Sequence, residues 1–138
     1  MNDFKNCLIL NGQSIGISKI ELNKSELYIE DKTGKYSLCV HIYNWKEINS
    51  IKTRKRQSIE FNEYCLCENN EPALIWPTDC YIKKTTDDSI IFYLKFDDFS
   101  NICYMNKKKC FDIELESLEV NVNINYKDVI GKSIIYKL

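Results

Sequence analysis

Polar and apolar residues alternate along most of the chain, and that period of two predicts strands. Between Tyr36 and Tyr43, Tyr36, Leu38, Val40 and Ile42 fall on one face, and Ser37, Cys39, His41 and Tyr43 on the other. Residues 26–30 alternate in the same way. Asp31 to Lys35, with Gly34 where φ can turn positive, joins the two runs as a hairpin. A second hairpin is expected from residues 80–85 and 89–96 around Thr86-Asp87-Asp88. Ser89 to Phe96 is apolar on both faces, which suits a central strand. Residues 4–10 and 14–22 are expected to pair around Asn11-Gly12. Lys132 to Leu138 carries Ile134, Tyr136 and Leu138 on one face, as a closing strand would.

The clearest alternation runs over residues 110–126. Phe111, Ile113 and Leu115 point one way, and Asp112, Glu114 and Glu116 the other. The phase then changes: Leu118, Val120, Val122, Ile124 and Tyr126 take even positions, opposite Asn121, Asn123 and Asn125. A one-residue slip would turn every side chain across the sheet, so a turn or bulge is expected near Glu116-Ser117. Two stretches break the rhythm. Ile42, Trp45, Ile48 and Ile51 recur every three residues behind Asn44, a capping residue with Glu47 as its partner, and predict a short helix. Phe99, Ile102 and Met105 give a second, weaker helical spacing. The expected fold is mostly β: an antiparallel sandwich or partly closed barrel of about eight to ten strands with one or two short helical segments.

Length and composition agree. The chain has 138 residues, of which 44% are hydrophobic and 28% charged. That fits one β-rich domain over residues 1–138 and excludes a disordered chain. Two prolines and four glycines leave no linker or low-complexity segment. The apolar run Cys7 to Leu10 is too short for a signal peptide, and no window is apolar for the ~18 residues a membrane span needs. A cytoplasmic location is therefore expected.

The residues that carry chemistry are few. His41 is the one histidine, so a multi-histidine metal cluster is impossible. Its neighbour Cys39 would make a nucleophile–base pair only with an orienting third group, and none is evident. Phosphate-cradling loops and nucleophile elbows are missing. Seven cysteines, at 7, 39, 65, 67, 80, 103 and 110, are odd in number and lack zinc-site spacing beyond Cys65-Leu66-Cys67. They are read as small buried apolar side chains. No catalytic residue, no metal and no cofactor is expected.

Charge is more informative. Nineteen basic and twenty acidic residues give a net charge of −1, which argues against a nucleic-acid-coating protein. Asp112, Glu114 and Glu116 form a row on one side of one extended stretch, with Glu119 just past the phase change. Asp97-Asp98 and the stretch Glu60, Glu63, Glu68 and Glu71 could extend it. Such a row can steer a basic partner and fix its orientation. The run Lys52 to Arg56, beside Tyr43 and Trp45, has the ingredients of a nucleic-acid contact, cations next to rings that stack.

With these features the chain resembles bacterial immunity proteins of the contact-dependent-inhibition and polymorphic-toxin kind. The resemblance is one of type. It rests on a small β domain, on the clustered carboxylates Asp112, Glu114, Glu116 and Glu119, on Lys-, Asn- and Ile-rich usage that points to an AT-rich gene, and on the missing catalytic groups. It implies tight binding of one cognate toxin domain, basic and nuclease-like, with Asp112, Glu114, Glu116, Glu119, Asp97 and Asp98 as partner-binding residues. Trp45, Trp76 and Tyr104 are candidate aromatic anchors. A small-ligand-binding β domain, and a nucleic-acid-binding module using residues 52–56, stand as alternatives.

Overall fold

Asn11 and Gly12 both have positive φ, 51° and 81°, the requirement of a two-residue type I′ turn. Strands β1 (Cys7–Leu10) and β2 (Gln13–Leu22) therefore meet as a tight hairpin, Leu10 facing Gln13. The computed structural model describes residues 6–22, 26–42, 56–57, 61–86, 89–105, 111–125 and 134–137. The expected helix at 44–51, the Lys52–Lys55 part of the basic run, and Trp45 lie outside them.

The two other anticipated hairpins form. β3 (Glu26–Asp31) pairs with β4 (Tyr36–Ile42) across a turn closed by Gly34, φ 74°, whose amide donates to the Asp31 carbonyl at 3.1 Å. The Asp31 side chain, 1% exposed, is held inside that turn. Its Oδ2 accepts from the Thr33 hydroxyl at 2.6 Å and its Oδ1 from the Tyr36 amide at 3.1 Å. A short strand β5 (Arg56–Gln57) pairs with β8 (Asp79–Lys84), which pairs with β9 (Ser89–Phe96). β9 is central, with β11 (Leu118–Asn125) on its other side. Only one of its faces is fully buried, so its outward apolar residues are half-covered rather than interior.

One hairpin was not anticipated. β6 (Phe61–Glu68) and β7 (Glu71–Leu74) join through Asn69 and Asn70, both at positive φ. β10 (Cys103–Tyr104) pairs with β7, so the weaker helical spacing around Phe99 to Met105 resolves into a turn and this short strand. β12 (Ile134–Lys137) pairs with Lys19–Leu22 of β2.

The strands run in the order β10-β7-β6-β4-β3-β2-β1-β11-β9-β8-β5, every pair antiparallel, with β12 off this path against β2. The sheet curls into a half-barrel, and no helix occurs among the described residues. β2 makes the curl possible. Its first four residues pair with β1, and Ile17 and Lys19–Leu22 pair with β3, with a register shift between Ile17 and Lys19. The inward residues of both halves form one core that includes Ile20, Leu22, Leu38, Ile82, Phe92, Leu94 and Val120. Tyr64 of β6 joins the halves: its ring packs edge-on against Phe96 of β9 at 5.8 Å, and its hydroxyl lies 3.7 Å from Cys80 Sγ of β8.

Candidate functional site

The segment expected to be an acidic strand joins no ladder and bends at Asp112 and Ile113. β11 begins only at Leu118, and residues 111–117 form a strap. At one end Phe111 is buried and lies 5.7 Å from the Tyr104 ring of β10. Ile113 and Leu115 then pack against the core before the chain enters β11. Alternation here reports a chain segment with one side turned to the core, which needs no strand partner. That is why the sequence pattern was real and the strand was not.

Asn11 fixes where the phase changes. Its Oδ1 accepts from the amides of Glu116 and Ser117 at 2.7 and 3.1 Å, and its Nδ2 donates to the Glu114 carbonyl at 2.8 Å. The Asn11 amide donates to the Ser117 carbonyl at 2.8 Å. One residue of the β1–β2 turn thus grips the strap where its outward side shifts from even to odd positions.

The predicted acidic residues divide into three sets. Glu114 and Glu116 are exposed on the outer side of the strap, and Asp97 and Asp98 are exposed just beyond β9. Phe96 and Leu118 are the last pair of the β9–β11 ladder, so Asp97-Asp98 and Glu116-Ser117 leave it from the same end. Asp98 Oδ1 accepts from the Ser100 amide at 3.0 Å, which holds its carboxyl below the usual range and keeps it charged. Asp112, 72% exposed, is engaged by this chain's own Lys35 at 3.3 Å. Glu119 is half-buried on the outer face of β11. It lies opposite Lys95 and is hydrogen-bonded by Tyr93. The acidic surface is therefore a corner made by Glu114, Glu116, Asp97 and Asp98, and not a continuous six-residue stripe.

Glu68 does not extend it. Its carboxyl is 1% exposed beneath the strap, where Oε1 accepts from the Asp112 amide at 2.9 Å. It anchors the strap's other end. Of the aromatic candidates, Trp76 is 49% exposed in the β7–β8 connection, while Tyr104 is spent on packing Phe111. Arg56 of the basic run lies in β5 opposite Lys83.

The cysteines depart from expectation. None of the six that are described is fully buried, and Cys103 is exposed. For Cys39, Cys65 and Cys67 the reason is strand parity. Leu38 and Val40 point into the core, so Cys39 between them points out. Tyr64 and Leu66 do the same to Cys65 and Cys67. Cys39 stands opposite Cys65, and Ser37 opposite Cys67. Cys65 Sγ and Cys67 Sγ are 3.9 Å apart, and that contact draws the Cys67 thiol down to about 6. On the same outer face, Glu26 of β3 is opposite His41 of β4, with Oε2 3.6 Å from Nε2. Potential ligand atoms of Glu26, Cys39 and His41 all lie within 4.8 Å of one another.

Comparison with protein-family models, with curated proteins and with solved structures returned no match.

Proposed function

We propose that the chain is a non-enzymatic binding protein of the immunity type, which neutralises a basic, nuclease-like toxin domain by presenting the acidic corner to it. The observation that supports this reading is the mounting of Glu114 and Glu116. Their side chains face solvent, while the backbone beneath them is fixed by Asn11 and by the partly buried Ile113 and Leu115, which pack against the core. A charged group on a rigid support loses less freedom on docking than one on a loose loop. Asp97 and Asp98, leaving the sheet at the same end, widen the negative field. Trp76, 49% exposed, stands in the β7–β8 connection two residues before Thr78, whose amide donates to the Lys95 carbonyl near this end of β9. An exposed aromatic ring and exposed carboxylates are the anchor and the steering charge that tight interfaces use.

Co-expression with the toxin domain encoded beside this gene tests the reading. Growth should be rescued and a 1:1 complex recovered. The charge reversal Glu114→Lys with Glu116→Lys should slow association by roughly 10-fold or more at low salt and flatten its salt dependence. No rescue and no complex would reject the function. Rescue with unchanged association kinetics in the double variant would move the interface away from the strap.

A further inference from the structure

The outer face of the β3–β4 hairpin carries chemistry that an acidic docking corner does not use. The turn between Asp31 and Tyr36 sets the register, and that register puts Glu26 opposite His41 and Tyr28 opposite Cys39. Cys39 and His41 are alternate residues of one strand, so they share a face. A thiol, an imidazole and a carboxylate are thus gathered on two strands of one hairpin, each half-buried, with ligand atoms mutually within 4.8 Å.

We propose that Glu26, Cys39 and His41 form a binding site for one thiophilic divalent transition-metal ion, with Zn²⁺ as its physiological occupant. Tetrahedral bonds of 2.0–2.3 Å place neighbouring ligand atoms about 3.3–3.8 Å apart. His41 Nε2 and Glu26 Oε2, at 3.6 Å, already have that spacing. The remaining approach, from the 4.8 Å limit to this spacing, is about 1.5 Å at most, which rotation of half-exposed side chains supplies without moving the sheet. The donor set selects the ion: a thiolate and an imidazole disfavour Mg²⁺ and Ca²⁺, which want oxygen ligands, and suit Zn²⁺. Three protein ligands leave one position of the tetrahedron for water. The hairpin fixes the geometry before the ion arrives, because the three residues sit on hydrogen-bonded strands whose other faces, through Leu27, Leu38 and Val40, are locked in the core.

The test is Co²⁺ titration of the full-length, chelator-stripped and reduced protein, read by absorption. One equivalent of Co²⁺ should bring up a thiolate-to-cobalt charge-transfer band with the intense visible bands of four-coordination, and one equivalent of Zn²⁺ should bleach both. Cys39→Ser should remove the charge-transfer band. His41→Gln should weaken Zn²⁺ binding by more than the roughly 10- to 100-fold that loss of an outer hydrogen-bond partner costs. Cys103→Ser, on β10, should change nothing. All three substitutions are on outer faces, and circular dichroism confirms that each variant is folded. Absence of the bands at stoichiometric Co²⁺ would overturn the proposal. So would bands that survive both Cys39→Ser and His41→Gln and vanish instead when Cys65 and Cys67 are replaced by serine.

Discussion

Replacing Asn11 separates two ways in which one turn residue stabilises the acidic corner. Its side chain makes three hydrogen bonds to the strap, two of them exposed. Exposed bonds contribute at the low end of the usual range, about 0.5 kcal/mol each, or about 1.5 kcal/mol together. Asn11 also sits at φ 51°, where a residue with Cβ and no side-chain hydrogen bond costs about 1 kcal/mol or more. Asn11→Ala should therefore lower stability by about 2–3 kcal/mol, and Asn11→Gly, which keeps the backbone at ease but removes the same bonds, by about 1–2 kcal/mol. Urea denaturation followed by tryptophan fluorescence measures both, with the slope unchanged. Amide exchange supplies the local readout. The Glu116 and Ser117 amides should exchange faster in both variants than loss of global stability explains, while amides in β9 track the global value. An Asn11→Ala protein within 0.5 kcal/mol of the parent, with unchanged exchange at 116 and 117, would refute the idea that this turn grips the strap.

Phe92→Ala removes a fully buried ring from the central strand and should cost about 3–5 kcal/mol in the same denaturation assay. Tyr93 is pushed up to about 12 by burial and by its hydrogen bond to Glu119, and burial raises Tyr64 still further. Because these folded-state values exceed the unfolded one, their stabilising contribution is complete below about pH 10 and is lost as pH rises through the folded value. An absorbance titration should show a phenolate phase well above pH 10, and ionisation of every tyrosine near 10 would contradict it. The Cys67 thiol, lowered to about 6 chiefly by its hydrogen bond with Cys65, should be alkylated faster at neutral pH than Cys7 or Cys80, whose thiols burial pushes up. Its contribution to stability is complete above the unfolded thiol value and falls as pH drops through about 6. Cys65→Ser should abolish the fast phase.

Where turn chemistry is local, the fold was legible. Asn11-Gly12 and Gly34 announce their hairpins, and the flanking alternation gives the faces. Asn69-Asn70 closes an equally tight hairpin, yet that stretch passed as an acidic surface. It lacks glycine, and Glu68 occupies an inward position that an apolar residue would normally mark. The strap passes for a strand because burial alternation and ladder pairing leave the same trace in a sequence. What separates them is the distant Asn11, which takes up the amides of Glu116 and Ser117. Of the acidic residues, exposure at 114 and 116 followed from parity, whereas Asp97 and Asp98 are both exposed because β9 ends at Phe96. The capture of Asp112 by Lys35 and of Glu119 by Tyr93 depends on contacts between elements far apart in the chain. The Glu26, Cys39 and His41 cluster was within reach. Counting outward from the turn at 31–36 pairs residue 26 with 41, whereas the alternation of β4 by itself carries no sign of the carboxylate across from it.

The pairing of β12 with Lys19–Leu22 of β2 has a consequence for how the molecule is made. β1, β3 and the rest of the sheet can assemble around β2 while those four residues still offer open amides and carbonyls on one flank. A ribosome must extend the chain by more than a hundred residues beyond them before their own partner, residues 134–137, is available. A truncated product would leave a sticky border able to recruit a strand from another molecule. Expression trials that delete residues 134–137 should therefore yield inclusion bodies rather than a smaller, well-behaved protein.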